Sequence, residues 1–252
     1  RMNIVISGGV AAGTKVAAKL MRQNRNNNVT IYTKSKDISY AGCGLPYHIS
    51  GLIPDKDSLV VNTPEKFSML TGVNVKTEME AIKIDPNRKS VLFKDNTEVN
   101  YDKLVIATGA TPIVPTIEGV NRPNVFTLRT VEDAVNIKRY IEEKSVKSAV
   151  IVGASFIGLE VAENIKAKGV NVTVADLADQ VLPNLFDPDM AQYIKKQLTQ
   201  KGIRVVNGAK LEEITDSGIK TTRGDITGEI VILALGVKPA TDFLLDSGIE
   251  LE

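Results

Sequence analysis

"NIVISGGVAAGTKVAAKLMRQNRNNNVTIYT", residues 3–33, decides the fold. An apolar run meets two glycines, a stretch with helical periodicity follows, and a polar break leads to a second apolar run. Strand, tight turn, helix and strand make a βαβ unit, which implies parallel pairing. Residues 148–176, "SAVIVGASFIGLEVAENIKAKGVNVTVAD", repeat the plan. In this copy Ile157, Val161, Ala162, Ile165 and Ala167 are expected on one face of a 3.6-residue period. Gly169 stands where a helix C-cap belongs.

A second pair of matching segments closes each copy. "YDKLVIATGATP" (101–112) parallels "GEIVILALGVKP" (228–239): a buried strand, a glycine, and a proline three residues on. The stretch 110–123, with three prolines, reads as the crossover between the copies. Thr130 and Asp133 suggest an N-cap for the helix after it. Residues 73–100 and 203–228 alternate apolar and polar positions around polar turns and read as antiparallel excursions. The expected fold is therefore α/β: two Rossmann-like nucleotide-binding modules with parallel sheets in three layers and small antiparallel β excursions. The boundaries fall at 1–112, 113–240 and a closing segment at 241–252.

Composition narrows the partners. Of 252 residues, 43% are hydrophobic and 24% charged, and the formal net charge is +1. That balance gives no electrostatic reason to expect nucleic acid or an anionic membrane. Lys15, Lys19 and Arg22 form one basic helix face, read as solvated. A single cysteine excludes an internal disulfide, and one histidine with one cysteine cannot form a metal site by themselves. The first strand starts at once, with no leader or membrane-length apolar run, so a cytoplasmic setting is expected. Arg1 and the terminal Leu251-Glu252 are compatible with cloning remnants.

The turns carry the chemistry. Gly8-Gly9-Val10-Ala11-Ala12-Gly13 has the length of G-x-G-x-x-G with Val10 in the middle glycine's place. Gly153-Ala154-Ser155-Phe156-Ile157-Gly158 has Ser155 there. Such a turn needs close backbone approach to a pyrophosphate, which the helix N–H groups then hold. At the end of the second strand, Asp176 suits a ribose hydroxyl and repels a 2′-phosphate, favouring NADH over NADPH. The matching position in the first copy is Thr33, followed by Lys34.

One further stretch, "SYAGCGLPYHISG" (39–51), sets the only cysteine, Cys43, between two glycines. Together with "GGVAAG", "YDKLVIATGATPIVP", "FTLRTVEDA", "IVGASFIGLEVAE" and "VILALGVKPATDFL", it resembles the flavin-dependent pyridine nucleotide–disulfide oxidoreductases. The branch it resembles has a single redox cysteine and includes coenzyme A disulfide reductase and NADH oxidase. The resemblance runs along nearly the whole chain. It implies that residues 1–112 hold FAD and 113–240 hold NADH. It assigns Gly8, Val10, Ala11, Ala12, Gly13, Thr33, Lys34, Ala107, Thr108 and Gly109 to FAD. Gly153, Ser155, Phe156, Ile157, Gly158, Glu160 and Asp176 fall to NADH. Gly236 is assigned to the meeting of nicotinamide and flavin, Arg129 to the neighbourhood of the flavin, and Cys43 to the flavin ring.

Three departures stand out. Thr33 replaces the family's usual Glu, Gly42 replaces an Asn beside the cysteine of coenzyme A disulfide reductases, and the family's return segment and dimerisation domain lie beyond residue 252. The whole protein is thus expected to be a homodimer, and the given chain its N-terminal part.

Four residues after Cys43, where two-cysteine relatives have a second thiol, stands Tyr47. Cys43 must then cycle against an outside molecule. It can form a mixed disulfide with a small thiol such as coenzyme A or a persulfide, or a sulfenic acid with oxygen as acceptor. Both need the thiolate, which N–H groups at a helix start favour. The leading expectation is electron flow from NADH through FAD to Cys43 and a small disulfide. NADH oxidase and an inactive nucleotide-binding fragment are the alternatives. The family's peroxidases carry a histidine where this chain has Ala11, which disfavours peroxidase action. His48 is read more readily as structural than as a base, and Glu160 serves the helix dipole or the nicotinamide equally well.

Overall fold

The structure, a computed structural model, describes residues 1–251; Glu252, in the expected closing segment and terminal pair, lies outside the described residues. The chain forms two compact units. The first contains residues 1–41, 57–111 and Pro239 onward, and the second contains 42–56 and 112–238.

The first unit begins with β1 (Asn3–Ser7), α1 (Ala11–Gln23) and β2 (Asn28–Tyr32). The chain then supplies α2 (Leu45–Ser50) to the second unit. It returns with α3 (Pro64–Thr71), β3 (Asn74–Lys76), the antiparallel trio β4 (Ala81–Asp85), β5 (Ser90–Phe93) and β6 (Glu98–Asn100), then β7 (Lys103–Ile106) and β8 (Ala110–Pro112). The main sheet has the order β3-β2-β1-β7, every pair parallel. Alternation along β1 sends Ile4 and Ile6 toward α1, where Ala17 and Met21 join Phe67 of α3 in one cluster. Val5 goes the other way, into a cluster with Ile84, Val91 and Phe93 of the antiparallel trio. Helices, parallel sheet and antiparallel sheet are thus three layers around two apolar seams. Each fully buried side chain of this size contributes about 1.5–3 kcal/mol.

The second unit repeats the pattern. Its elements are β9 (Val125–Thr127), α4 (Val131–Glu143), β10 (Ser148–Val152), α5 (Phe156–Ala167), β11 (Asn171–Ala175), α6 (Pro188–Gln200) and β12 (Ile203–Val206). Then come β13 (Leu211–Thr215), β14 (Gly218–Thr221), β15 (Gly224–Thr227), β16 (Ile230–Leu233) and β17 (Val237–Pro239). The sheet order is β12-β11-β10-β16-β9, again all parallel. Val150 and Val152 meet Ile214, Ile219 and Ile226 of the antiparallel sheet, and α5 packs against β10 and β11. The expected cap of α4 forms as a reciprocal box: Asp133 N–H donates to Thr130 Oγ1 at 3.1 Å, and Thr130 N–H to Asp133 Oδ2 at 2.8 Å.

Two expectations are corrected. Ile157 is 40% exposed and Ala167 is exposed, so neither belongs to the core face of α5. The buried stripe runs through Gly158, Val161, Ala162 and Ile165. At about 100° per residue, Ile157 sits roughly 90° and Ala167 roughly 170° from its centre. Nor are the excursions antiparallel throughout. Their first strands, β3 and β12, join the parallel sheets at their edges. Main-chain bonding to the preceding strand decides this, which alternation within the segment does not report. Among the described residues no helix is long and apolar enough to cross a membrane.

Candidate functional site

Both glycine turns are built on the same backbone contact. Gly8, at φ +113°, leaves β1 with no room for a side chain: a methyl group there would lie 2.0 Å from the carbonyl oxygen of Ala107. Gly13 is as tight, its missing methyl falling 1.8 Å from the carbonyl oxygen of Gly8. In the second copy Gly153, at φ +114°, stands in the same relation to Ala234 at 2.2 Å, and Gly158 to Gly153 at 2.0 Å. Gly8 N–H donates to Tyr32 and Gly153 N–H to Ala175, each at 2.8 Å. Two independent segments thus fold into one turn shape, whose backbone stays bare of side chains where a phosphate ligand needs close approach.

The helix starts differ. Ser155 caps α5, its Oγ accepting from Gly158 N–H at 3.4 Å and donating to the Ala234 carbonyl at 3.3 Å. Val10 offers α1 no capping oxygen. Ala11 and Ala12 are exposed in the first helical turn, and no acidic side chain stands there, so nothing within the helix start competes with an incoming anion.

Around the first turn the structure gathers Gly8, Gly13, Thr33, Ala107 and Thr108. Thr33 is buried, with its Cβ 3.2 Å from where a Gly9 methyl would lie. Thr108 Oγ1 donates to the Ala240 carbonyl at 2.9 Å, and Gly109 takes φ +67°. Lys34 instead pairs with Glu80 at 2.8 Å. That hydrogen bond holds the Glu80 carboxyl below the usual carboxylate range, against the opposing effect of burial.

The second turn opens on a cavity of about 460 Å³ that brings Gly153, Ser155, Asp176 and Gly236 together. Asp176 is tied to the turn: Oδ2 accepts from Ala154 N–H at 2.5 Å and Oδ1 from Ala178 N–H at 2.7 Å. Across the mouth, Leu182 holds a left-handed backbone, φ +49°, while its N–H donates to the Ala154 carbonyl at 3.0 Å. A buried leucine in that conformation is uncommon, and it closes the loop 177–186 over the turn. Phe156, Ile157, Glu160 and Arg129 are not in the cavity wall. Phe156 is 53% exposed and meets Phe186 edge-on. The Glu160 carbonyl accepts from Asn164, and Arg129 N–H donates to Asp133.

Sequence reasoning missed most of the apolar wall: Leu177, Leu182, Pro183 and Leu185 from the loop, and Leu211 from the antiparallel sheet. The cluster of three leucines and a proline in 177–185 was the available signal. A wider cleft of about 780 Å³ along Tyr47, Leu52, Lys166 and Lys201 contains none of the expected site residues.

Cys43 sits on a single 3-10 turn, Gly42–Gly44, that runs into α2, and is exposed. The turn is fixed from behind. Leu45, Pro46 and Ile49 are buried, and α2 packs on α4 and α5. His48 is buried with Nδ1 2.8 Å from the Ile53 carbonyl. A carbonyl only accepts, so Nδ1 carries the proton. The ring thus ties the loop after α2 to the helix, in keeping with a structural histidine.

Comparisons with known proteins agree with this architecture. Residues 2–252 match the family model described as pyridine nucleotide-disulphide oxidoreductase. An NADH oxidase of Methanocaldococcus jannaschii is 37% identical over 99% of this chain and 58% of its own length. The NAD-dependent persulfide reductase of A. fulgidus superposes with a TM-score of 0.95 at 35% identity, covering all of this chain and 49% of that one. The water-forming NADH oxidase of Lactobacillus brevis, solved with NADH bound, gives 0.90 at 31% identity, covering 97% and 56%. The chain therefore spans somewhat more than half the length of its curated relatives. It belongs to the pyridine nucleotide–disulphide oxidoreductases.

Proposed function

We propose that the chain is the nucleotide-binding part of an FAD-dependent NADH:disulfide oxidoreductase whose redox-active residue is Cys43. The observation that carries this reading is the duplicated turn, in which Gly8 and Gly153 each press on a closing-strand carbonyl and leave a cradle that any Cβ would fill. FAD would lie on Gly8, Val10, Ala11, Ala12, Gly13 and Thr33, with Ala107, Thr108 and Gly109 beside it. NADH would lie on Gly153, Ser155, Gly158, Asp176 and Gly236. When bound, the two cofactors supply hydride and electron-pair chemistry.

The chain's own residues supply binding and the thiol. Asp176 would direct its free acceptor positions to the adenosine ribose, and the apolar wall around Leu177 and Leu211 would exclude water from the base. Cys43, as thiolate, attacks one sulfur of a small disulfide RS–SR. The S–S bond breaks, RS⁻ leaves, and Cys43–S–SR forms. Cys43 is the only cysteine, so no second thiol of the chain resolves that mixed disulfide. Coenzyme A disulfide or a persulfide is the proposed substrate, supported by relatives named coenzyme A disulfide reductase and NAD-dependent persulfide reductase. The whole protein is proposed to act in the cytoplasm as a homodimer.

A second reading, NADH oxidase, is favoured by the 37% identity to a protein of that name. Oxygen would then be the acceptor and Cys43 would pass through a sulfenic acid. Anaerobic NADH titration of the purified protein, followed by visible absorption, tests the common core: flavin absorbance is expected to bleach. A colourless protein that takes up no FAD would instead be a nucleotide-binding fragment without activity. Cys43→Ser separates the first two readings, since disulfide reduction should vanish while oxygen reduction to peroxide persists.

A further inference from the structure

Asp176 does not hold its place unaided. The segment after β12 brackets its main chain: Asp176 N–H donates to the Val206 carbonyl at 3.0 Å, and the Asp176 carbonyl accepts from Ala209 N–H at 2.8 Å. Asn207 and Gly208 lie between those two bonds. Gly208 N–H donates to the Ala178 carbonyl at 3.0 Å, and Asn207 Nδ2 donates to the same oxygen at 3.3 Å. Ala178 N–H in turn donates to Asp176 Oδ1 at 2.7 Å. The Asn207 amide is aimed from α6, where Lys195 Nζ donates to Asn207 Oδ1 at 2.7 Å. An ammonium only donates and a carbonyl only accepts, so these two partners fix which way the amide faces.

Asp176 lines the 460 Å³ cavity, whereas Asn207, Ala178 and Lys195 do not. We propose that Asn207, oriented by Lys195, is a positioning residue for nucleotide choice at the second turn. It fixes the Ala178 carbonyl, and so holds the backbone of Ala178, whose own N–H sets the direction of the Asp176 carboxylate. The inference rests on the assignment of this cavity to NADH.

The physical argument concerns direction. An ionised carboxylate has about four acceptor positions. Two are taken by Ala154 and Ala178 N–H. The remaining ones meet a ribose hydroxyl, and oppose a 2′-phosphate, only while the group keeps one orientation. Without the Asn207 amide, the Ala178 carbonyl is held by Gly208 N–H alone, and the carboxylate loses its fixed aim. An amide that merely satisfied a loop would affect melting and leave nucleotide choice untouched.

Fluorescence titration of the purified chain with NADH, and separately with NADPH, tests this in the wild type and in Asn207→Ala, Asn207→Asp and Lys195→Met. For Asn207→Ala the NADH dissociation constant is expected to rise about fivefold to tenfold, the range of one well-placed hydrogen bond. The NADPH constant is expected to stay within about twofold, so the preference narrows. Asn207→Asp keeps an acceptor for Lys195 but loses the donor to Ala178, and should weaken NADH equally. Lys195→Met should shift NADH binding in the same direction by less. Equal weakening of both nucleotides, or a lowered melting temperature with an unchanged NADH-to-NADPH ratio, would overturn the proposal. A wild-type chain that binds neither nucleotide would overturn the assignment of the cavity, and the proposal with it.

Discussion

The first glycine of the first turn, Gly8, lies against Ala107 so closely that a methyl group would fall 2.0 Å from the alanine carbonyl. Gly8→Ala must therefore separate β1 from β7 and place alanine at a φ of +113°. A loss of about 3 kcal/mol is expected from strain and displaced packing. For a chain of this size that is roughly 6–12 °C in melting temperature. Gly42→Ala is the control, since nothing lies within 4 Å of its missing methyl. Thermal unfolding of the two variants decides. A Gly8→Ala protein that melts with the wild type would contradict the contact.

Exposure of Cys43 predicts that one thiol equivalent reacts with a disulfide reagent in the folded protein. Cys43→Ser should abolish that reaction and change stability by no more than about 0.5 kcal/mol, as for other surface substitutions. A thiol that reacts only after denaturant is added would refute this geometry.

Removal of the Asp176 carboxylate strands two N–H donors, those of Ala154 and Ala178. Asp176→Ala is expected to weaken NADH binding roughly tenfold to hundredfold, the cost of losing a charged acceptor. Isothermal calorimetry with NADH reads it directly, and unchanged affinity would remove Asp176 from the site.

Glu229 supports the start of β10 by accepting Lys147 N–H at 2.5 Å and Ser148 N–H at 2.9 Å. The Lys147 N–H bond is the main reason that its carboxyl titrates below the ordinary 4.5. A lowered folded-state value means that the contribution is present above pH 4.5 and lost as pH falls through that lowered value. Glu229→Gln should accordingly melt below the wild type at pH 7. The gap should close as the pH falls through that lowered value. Because the group is exposed, the gap should be small. A gap that widens in acid would have the wrong sign.

Repetition made the fold legible. Asn3–Ser7 with Asn28–Tyr32, and Ser148–Val152 with Asn171–Ala175, pair in the register that two βαβ units require. The Thr130 box was visible because capping is local chemistry between residues three apart. What depends on distant backbone was less visible. The parallel placement of β3 and β12 follows from bonds to β2 and β11, not from their own alternation. The phase of α5 departs from the apolar spacing because Ile157 is apolar yet stands at the exposed start of the helix. At the second turn the glycines and Asp176 could be found by spacing. Leu182 and Asn207 could not, because each donates, from its main chain and its side chain respectively, to the carbonyl of a residue more than 25 positions away.

The membership of residues 42–56 has a practical result for dissecting the protein. Excising 112–238 as a separate domain would discard α2 and lay bare the sides of α4 and α5 that Leu45 and Ile49 cover. A faithful minimal version must graft 42–56 back through a linker, and the exposed Cys43 would travel with the graft.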